Sequence, residues 1–318
     1  MAQALRSFLT SGPGILLLIL LILIAAVSGA SILLIHDVTH PPRPTADVDP
    51  ADFSVRVEEI EFEAADGIPL SGWFVRGRPG WPAILLCHDL GSSRLDLLAS
   101  AVPLSRKGYP LLMFDFRGHG MSGGRGSTLG IRERLDIIGA IDHLKERDGI
   151  DTARFGVWGI GQGAYAAALA ALEREEIEVL ALDSIYPDVA TQLDRLIGDR
   201  LPPALQRVVP VVRLFYNPYL SFSMNRFAID ESIGVLADRK ILFIAAIKTP
   251  GRFREQQELY GAVPDDPAGE SSFIEVEASG VTGLYGDERR VYDDTITTFF
   301  SSNLRRSGGR SALTTVQP

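Results

Sequence analysis

The sequence predicts an α/β protein built on a mainly parallel sheet, and three observations carry that expectation. Short apolar runs alternate with helical patterns from Ala83 onward, near 83–87, 111–116, 154–158, 178–183, 240–246 and 272–277, the alternation of strands and crossover helices that covers both faces of a parallel sheet. Arg154–Leu172 reads RFGVWGIGQGAYAAALAAL, a strand, a glycine-rich turn and an alanine-rich helix in direct succession. Finally, VRVEEIEFEAADGIPLSGWFVRG from Val55 alternates apolar and polar residues around Asp66-Gly67, a pair that favours a tight hairpin turn, so antiparallel strands are expected to open the sheet.

Ahead of the sheet, residues 7–35 contain no Asp, Glu, Lys or Arg, and Ile15–Ile35 is almost wholly apolar. That run matches the ~20 residues a helix needs to cross a bilayer, and residues 11–35 are expected to form a transmembrane helix after a short segment, 1–10. Its rival is a cleaved signal peptide ending near Ser28-Gly29-Ala30, but Ser31–Ile35 continues the apolar run. Arg6 precedes the run, whereas Asp37, Asp47, Asp49 and Asp52 outweigh Arg43 after it. This bias places the amino side in the cytoplasm and the globular body outside. PPRPTADVDP from Pro41 suits neither helix nor central strand, so residues 36–52 are expected to form a stiff Pro-rich linker. Residues 53–304 would then be the folded domain, 187–230 a lid-like insertion within it, and 305–318 a polar tail.

Composition narrows the function. The 318 residues are 46% hydrophobic, enough for one substantial core, and the net charge of −9 comes without a basic run, so nucleic acid is not expected as a partner. The single Cys87 can close no intrachain disulfide, and five histidines (36, 40, 88, 119, 143) show no metal-ligand pairing. No metal and no cofactor are expected.

The turn at Gly159–Gly163 reads GIGQG. In the strand-turn-helix signature G-x-S-x-G, the central serine stands on a sharp elbow; here that position is Gly161. WPAILLCHDLGSSR from Trp81 resembles the strand and oxyanion loop of the α/β-hydrolases, and LLMFDFRGHGMSGG from Leu111 resembles their Asp-x-Arg-Gly-His-Gly-x-Ser turn. VLALDSIYPD, RKILFIAAIKTP and SGVTGLYGDERRVYDDTITTFF resemble the strand after the elbow, the acid-bearing strand and the histidine loop with its final helix. These segments keep the family's order across roughly residues 53–304 and are closest to its serine aminopeptidase-like and dienelactone hydrolase-like branches.

The resemblance implies a Ser-His-Asp site whose three positions are vacant: Gly161 for the nucleophile, Thr249 for the acid and Val281 for the histidine. Independently of alignment, no histidine follows His143. His88, His119, Ser122 and Asp115 are expected to serve turns by hydrogen bonding, and Cys87 to be a buried strand residue. Asp89 stands where the resemblance implies a glycine, and its carboxylate there would oppose the negative charge that develops in acyl transfer.

The expectation is therefore an α/β-hydrolase-fold protein anchored in the bilayer and inactive as a Ser-His-Asp hydrolase. It would bind an apolar or acyl-like small ligand, or a protein partner, at a site drawn from His88, Asp89, Leu90, Gln162 and Asp183. Two alternatives stand beside it. One is a serine aminopeptidase- or esterase-like hydrolase working through other residues. The other is dinucleotide binding, because Gly159–Ala164 also fits G-x-G-x-x-G/A with Asp183 about 20 residues on. In the insertion, Phe215, Tyr216, Tyr219 and Phe222 could roof a pocket, touch lipid, face a partner or pack into the body.

Overall fold

Continuous apolar runs such as Ala83–Cys87 and Ile241–Ala246 leave no polar face for water, and they form central strands buried on both sides. A computed structural model describes residues 10–43, 50, 55–216, 227–230, 232–264, 271–277 and 284–304. The chain divides into two units, residues 41–189 with 227–318, and residues 1–40 with 190–226.

The larger unit holds an eight-stranded sheet: β1 (Glu58–Glu63), β2 (Pro69–Val75), β3 (Trp81–Cys87), β4 (Leu111–Phe114), β5 (Ile150–Ile160), β6 (Ile177–Asp183), β7 (Lys240–Ala246) and β8 (Ser272–Val276), in the order β1-β2-β4-β3-β5-β6-β7-β8. β1 and β2 form the expected hairpin, with Gly67 at φ +80° and its N–H bonded to the Ala64 carbonyl at 2.8 Å. β2 pairs antiparallel with β4, and every later pairing is parallel. β5 starts four residues before the expected 154, because Ile150 and Asp151 pair with Trp81 and Pro82 ahead of a register shift. β4 stops at Phe114, short of the expected 116, where the chain turns.

Side chains alternate across the sheet. Ile84, Leu86, Trp158, Ile160, Ala181 and Ile244 share one core with the helices at Leu98–Lys107 and Gly286–Asn303. The Glu133–Lys145 and Gln162–Glu173 helices pack on each other and on the strands. Tyr109 ties the final helix to the sheet by donating to the carbonyls of Phe300 (3.1 Å) and Leu304 (2.8 Å). Behind the β4 turn, Arg117 is clamped between Asp136 (2.6–2.9 Å) and Asp66 of the hairpin (2.7–2.8 Å).

Cys87, Gly159, Leu182 and Phe243 lie in register across the carboxyl ends of β3, β5, β6 and β7. The connection from β3 runs to β4 on one side, while the chain from β5 builds outward on the other. The crevice between the ends of β3 and β5 is therefore the topological switch point, where α/β sheets bind ligands.

The smaller unit contains helix α1, Gly12–Thr39, capped at Ser11, whose hydroxyl accepts from the Gly14 N–H at 3.3 Å. It is long and apolar enough to cross a membrane. The helix runs four residues beyond the expected end at 35, so residues 36–39 are helical rather than linker; nothing breaks it before Pro41, whose ring disfavours helical backbone at His40. Residues 44–49, 51 and 52 of the expected linker, and 53 and 54 at the start of the expected domain, lie outside the described residues. The expected insertion at 187–230 contains a helix, Val189–Arg200, a 3-10 helix, Pro203–Val208, and a short helix, Val209–Arg213. Phe215 is half-buried and Tyr216 buried, while Tyr219, Phe222 and the tail 305–318 lie outside the described residues.

Candidate functional site

Gly161 sits between the last residue of β5 and the first of the following helix at φ +52°, ψ −109°, a backbone conformation that costs a side-chain-bearing residue about 1–3 kcal/mol. Its N–H donates to the Asp183 carbonyl at 2.8 Å, pinning the elbow to β6. The flanking glycines are there for close approach: a β-carbon at Gly159 would stand 2.4 Å from the Gly163 carbonyl carbon, and one at Gly163 the same distance from the Cys87 oxygen. The sequence thus keeps the geometry of a nucleophile elbow while removing the side chain it presents.

The space above Gly161 is filled from another strand. Asp89, in the turn after β3, directs its carboxylate there, and a β-carbon at Gly161 would meet Asp89 Oδ1 at 2.1 Å, Cγ at 2.3 Å and Oδ2 at 2.5 Å. Asp89 Oδ1 accepts from the Leu90 N–H at 2.7 Å and from the Gln162 N–H at 2.8 Å. The residue after the elbow and the loop after β3 are the sources of the two oxyanion donors in this architecture. A carboxylate oxygen already holds both. Burial raises the Asp89 pKa, against the pull of those N–H groups and of the Arg252 charge.

The neighbouring imidazoles serve the backbone. His88 Nδ1 lies 2.7 Å from the Asp89 carbonyl, and its Nε2 accepts from the Phe116 N–H at 3.0 Å. Burial, reinforced by His119, lowers its pKa to about 3. His119 accepts from the Gly91 N–H at 3.1 Å through Nε2, its Nδ1 lies 3.0 Å from the Arg117 carbonyl, and burial lowers its pKa too. These bonds assign a neutral, Nδ1-protonated ring to both. Together the two rings join the Asp89 turn to the turn after β4. Asp115 accepts from the N–H groups of Arg94 (2.8 Å) and Met121 (3.0 Å), and Ser122 donates to the Asp115 carbonyl at 2.5 Å. Cys87 is buried, which raises its thiol pKa.

Asp183, at the end of β6, is fully buried and accepts from Tyr292 (2.5 Å) and Ser184 (2.7 Å). Burial pushes its pKa up to about 6. Gln162 is buried as well, its Oε1 accepting from Ser127 at 2.5 Å. Thr249 stands at the N-cap position of the helix Pro250–Ala262, but its hydroxyl turns back to donate to the Ala246 carbonyl at 3.0 Å rather than capping the helix, and it has no carboxylate to offer. Val281 lies outside the described residues. Of the residues expected to line a ligand site, Asp89, Leu90 and Gln162 therefore converge on the elbow, whereas His88 and Asp183 lie buried with their polar groups committed to the protein.

Arg252 and Tyr292 are participants that sequence reasoning missed. Arg252, on the first turn of Pro250–Ala262, places its charge near both Asp89 and Tyr186. Cavities of about 300, 500 and 560 Å³ are lined by other residues, the first at Phe74, Arg76, Pro110 and Ile150, the other two along β8 and the final helix. Among the described residues there is no cluster of three metal-ligating side chains.

The sheet order, the elbow at the switch point and the flanking turns define the α/β-hydrolase fold. An esterase of Pyrococcus furiosus, Pf2001, superimposes with a TM-score of 0.64 at 23% identity, covering 83% of this chain and 99% of the esterase. In sequence, the chain is 28% identical over 148 residues to the alpha/beta hydrolase domain-containing protein WAV2 of Arabidopsis thaliana (45% of this chain, 47% of WAV2). It is likewise 28% identical over 150 residues to the thiohydrolase aneE of Aspergillus aculeatus (43% and 47%). The chain spans about half the length of the curated relatives it matches, and no protein-family model matches it. Fold and relatives agree: the chain has the α/β-hydrolase fold and is similar in sequence to proteins named for hydrolase activity or for that domain.

Proposed function

We propose that this chain is a membrane-anchored α/β-hydrolase-fold protein that has given up Ser-His-Asp hydrolysis and keeps its body for binding an apolar or acyl-like ligand or a protein partner. The observation that carries the reading is the Asp89 carboxylate, which occupies both the volume of the missing nucleophile and the donors that stabilise an oxyanion. Any acyl group entering the switch point meets negative charge where its own would develop. The absence of histidine beyond His143 supports the same conclusion, and the apolar α1 supports the anchor, with the body on the extracytoplasmic side by the charge bias around it.

The test measures turnover of ester, amide and thioester substrates by the full chain in detergent, beside a variant carrying Asp89→Gly, Gly161→Ser, Thr249→Asp and Val281→His. No turnover by the unmodified chain is expected, and Asp89→Gly alone should restore none. Robust turnover by the unmodified chain would sink the proposal, whereas activity confined to the restored variant would show a working scaffold without its reactive groups.

One observation favours a second reading. Among the described residues Asp89 Oδ2 accepts no hydrogen bond, while Oδ1 is held by two donors. A carboxylate so placed can attack an electrophilic carbon through Oδ2, forming a C–O bond as the leaving group departs with its electron pair. With both neighbouring imidazoles bonded to backbone groups rather than placed to activate water, the resulting ester would persist. Incubation with an alkyl halide or epoxide probe followed by peptide mapping separates the readings, since a stoichiometric adduct on Asp89 supports only the second. Dinucleotide binding is disfavoured physically: Asp89 places negative charge at the helix N-terminus a pyrophosphate would need, and Asp183 is enclosed. Saturable nicotinamide-cofactor binding lost in Asp183→Ala would reverse that judgement.

A further inference from the structure

Within the smaller unit, the segment after the helix Val189–Arg200 keeps an apolar stripe that none of the described residues covers. The 3-10 helix Pro203–Val208 runs directly into the short helix Val209–Arg213, which packs against α1. Val209 and Val212 are buried, whereas Leu205, Val208, Val211 and Leu214 are 50%, 41%, 42% and 73% exposed. Those four recur every third residue. Leu205 and Val208 share one line along the 3-10 helix, and Val211 and Leu214 follow with steps of about 60° on the α-helical turn after it, so the four keep to one outward side. Exposed apolar patches of this kind mark protein or membrane contacts.

The position of the stripe along α1 selects the membrane. Asp37 is the first charged residue after Arg6, and it pairs with Arg200. Gly12–Ile35 spans about 36 Å at ~1.5 Å per residue, enough for a hydrocarbon layer of ~30 Å. Asp37 therefore marks the level at which α1 leaves the apolar layer, and Arg200 brings the following segment to that level. Ile15–Ile24 are exposed along the helix, while Ile35 and Val38 near its end are buried. Of the arginines in this stretch, Arg200 is paired with Asp37 and Arg213 with Asp194, and the exposed Arg207 stands within the stripe itself.

We propose that residues 201–214 form a second membrane contact, lying in the interfacial layer of the bilayer that α1 crosses, with Leu205, Val208, Val211 and Leu214 turned to the acyl chains and the exposed Arg207 to anionic headgroups. This rests on the reading of α1 as a span and extends it: the chain meets the bilayer through two elements, and the insertion supplies one of them.

Because Cys87 is buried, a single introduced cysteine can be labelled selectively. The full chain carrying Leu205→Cys or Leu214→Cys, labelled with an environment-sensitive nitrobenzoxadiazole dye, is reconstituted in phosphatidylcholine/phosphatidylglycerol vesicles and quenched with lipids spin-labelled at the headgroup or deep in the chain. Leu17→Cys reports on the span, and Met121→Cys, exposed in the other unit, reports on water. The expected result is blue-shifted emission at 205 and 214 quenched most by the shallow spin label, deep quenching at 17 and water-like emission at 121. Water-like emission at 205 and 214 with deep quenching at 17 overturns this inference while leaving the span intact. Blue-shifted emission that no lipid label quenches also overturns it, by showing protein on the stripe. Water-like emission at 17 as well removes the span and this inference with it.

Discussion

Replacing Gly161 with serine alone should damage the protein rather than awaken it, and the size of the damage follows from the geometry. The new β-carbon would stand 2.1 Å from Asp89 Oδ1. Being the end of a side chain, the carboxylate can swing away, but only by leaving the N–H groups of Leu90 and Gln162. Hydrogen bonds to a charged group contribute about 1.5–3 kcal/mol each, and the elbow backbone costs a non-glycine residue about 1–3 kcal/mol. Taking the low end of each, because the released carboxylate regains water, Gly161→Ser costs about 4 kcal/mol, a large part of a marginal stability of about 5–15 kcal/mol. In an Asp89→Gly background only the backbone cost of about 1 kcal/mol remains, so the two substitutions couple by about 3 kcal/mol. Urea unfolding of the four chains in detergent, followed by tryptophan fluorescence, measures that coupling. Equal destabilisation by Gly161→Ser in both backgrounds would refute the claim that Asp89 fills the elbow.

The remaining predictions concern the buried polar groups around the elbow. His88 has a folded pKa of about 3, below its unfolded value of 6.5; the unfolded chain therefore takes up a proton first as pH falls, and the protein should lose up to about 5 kcal/mol between pH 6.5 and 3. NMR of the imidazole nitrogens at pH 5 should still show a neutral His88 ring, and a protonated one there would contradict its burial. Asp183 carries the opposite sign. Its folded pKa of about 6 lies above its ordinary value of 3.8, so its stabilising effect is complete in acid and about 3 kcal/mol is lost as pH rises from 3.8 through 6. Asp183→Asn should lack that loss, and an unchanged pH profile of unfolding would remove the explanation. Arg117→Met should cost about 3–5 kcal/mol, because Asp136 is left buried without its partner; a loss below about 1 kcal/mol in the same unfolding assay would count against the buried pair.

The strands were legible because fully apolar runs bounded by turns have few other uses, and the antiparallel opening was written in the alternation around Asp66-Gly67. The empty nucleophile position was equally legible, since a missing side chain is a fact of sequence. The occupant of that space was not. Asp89 could be seen to stand in the oxyanion loop, but whether its carboxylate opposes or fills the donor pair depends on turn dihedrals and on a helix that begins 73 residues later. Tyr292 was invisible for a similar reason: it meets Asp183 across 109 residues, and a tyrosine inside an amphipathic helix looks like core. The end of α1 was missed by four residues because loss of apolar character was read as loss of helix, although a helix can continue into polar sequence until a proline stops it.

Incubating the unmodified full chain with a fluorophosphonate and weighing it intact by mass spectrometry tests the central claim most directly. With a carboxylate lodged over Gly161 and no imidazole beyond residue 143, the mass should not change. One phosphonyl group gained per chain, mapped to any residue between 53 and 304, would mean that an activated nucleophile survives in this fold.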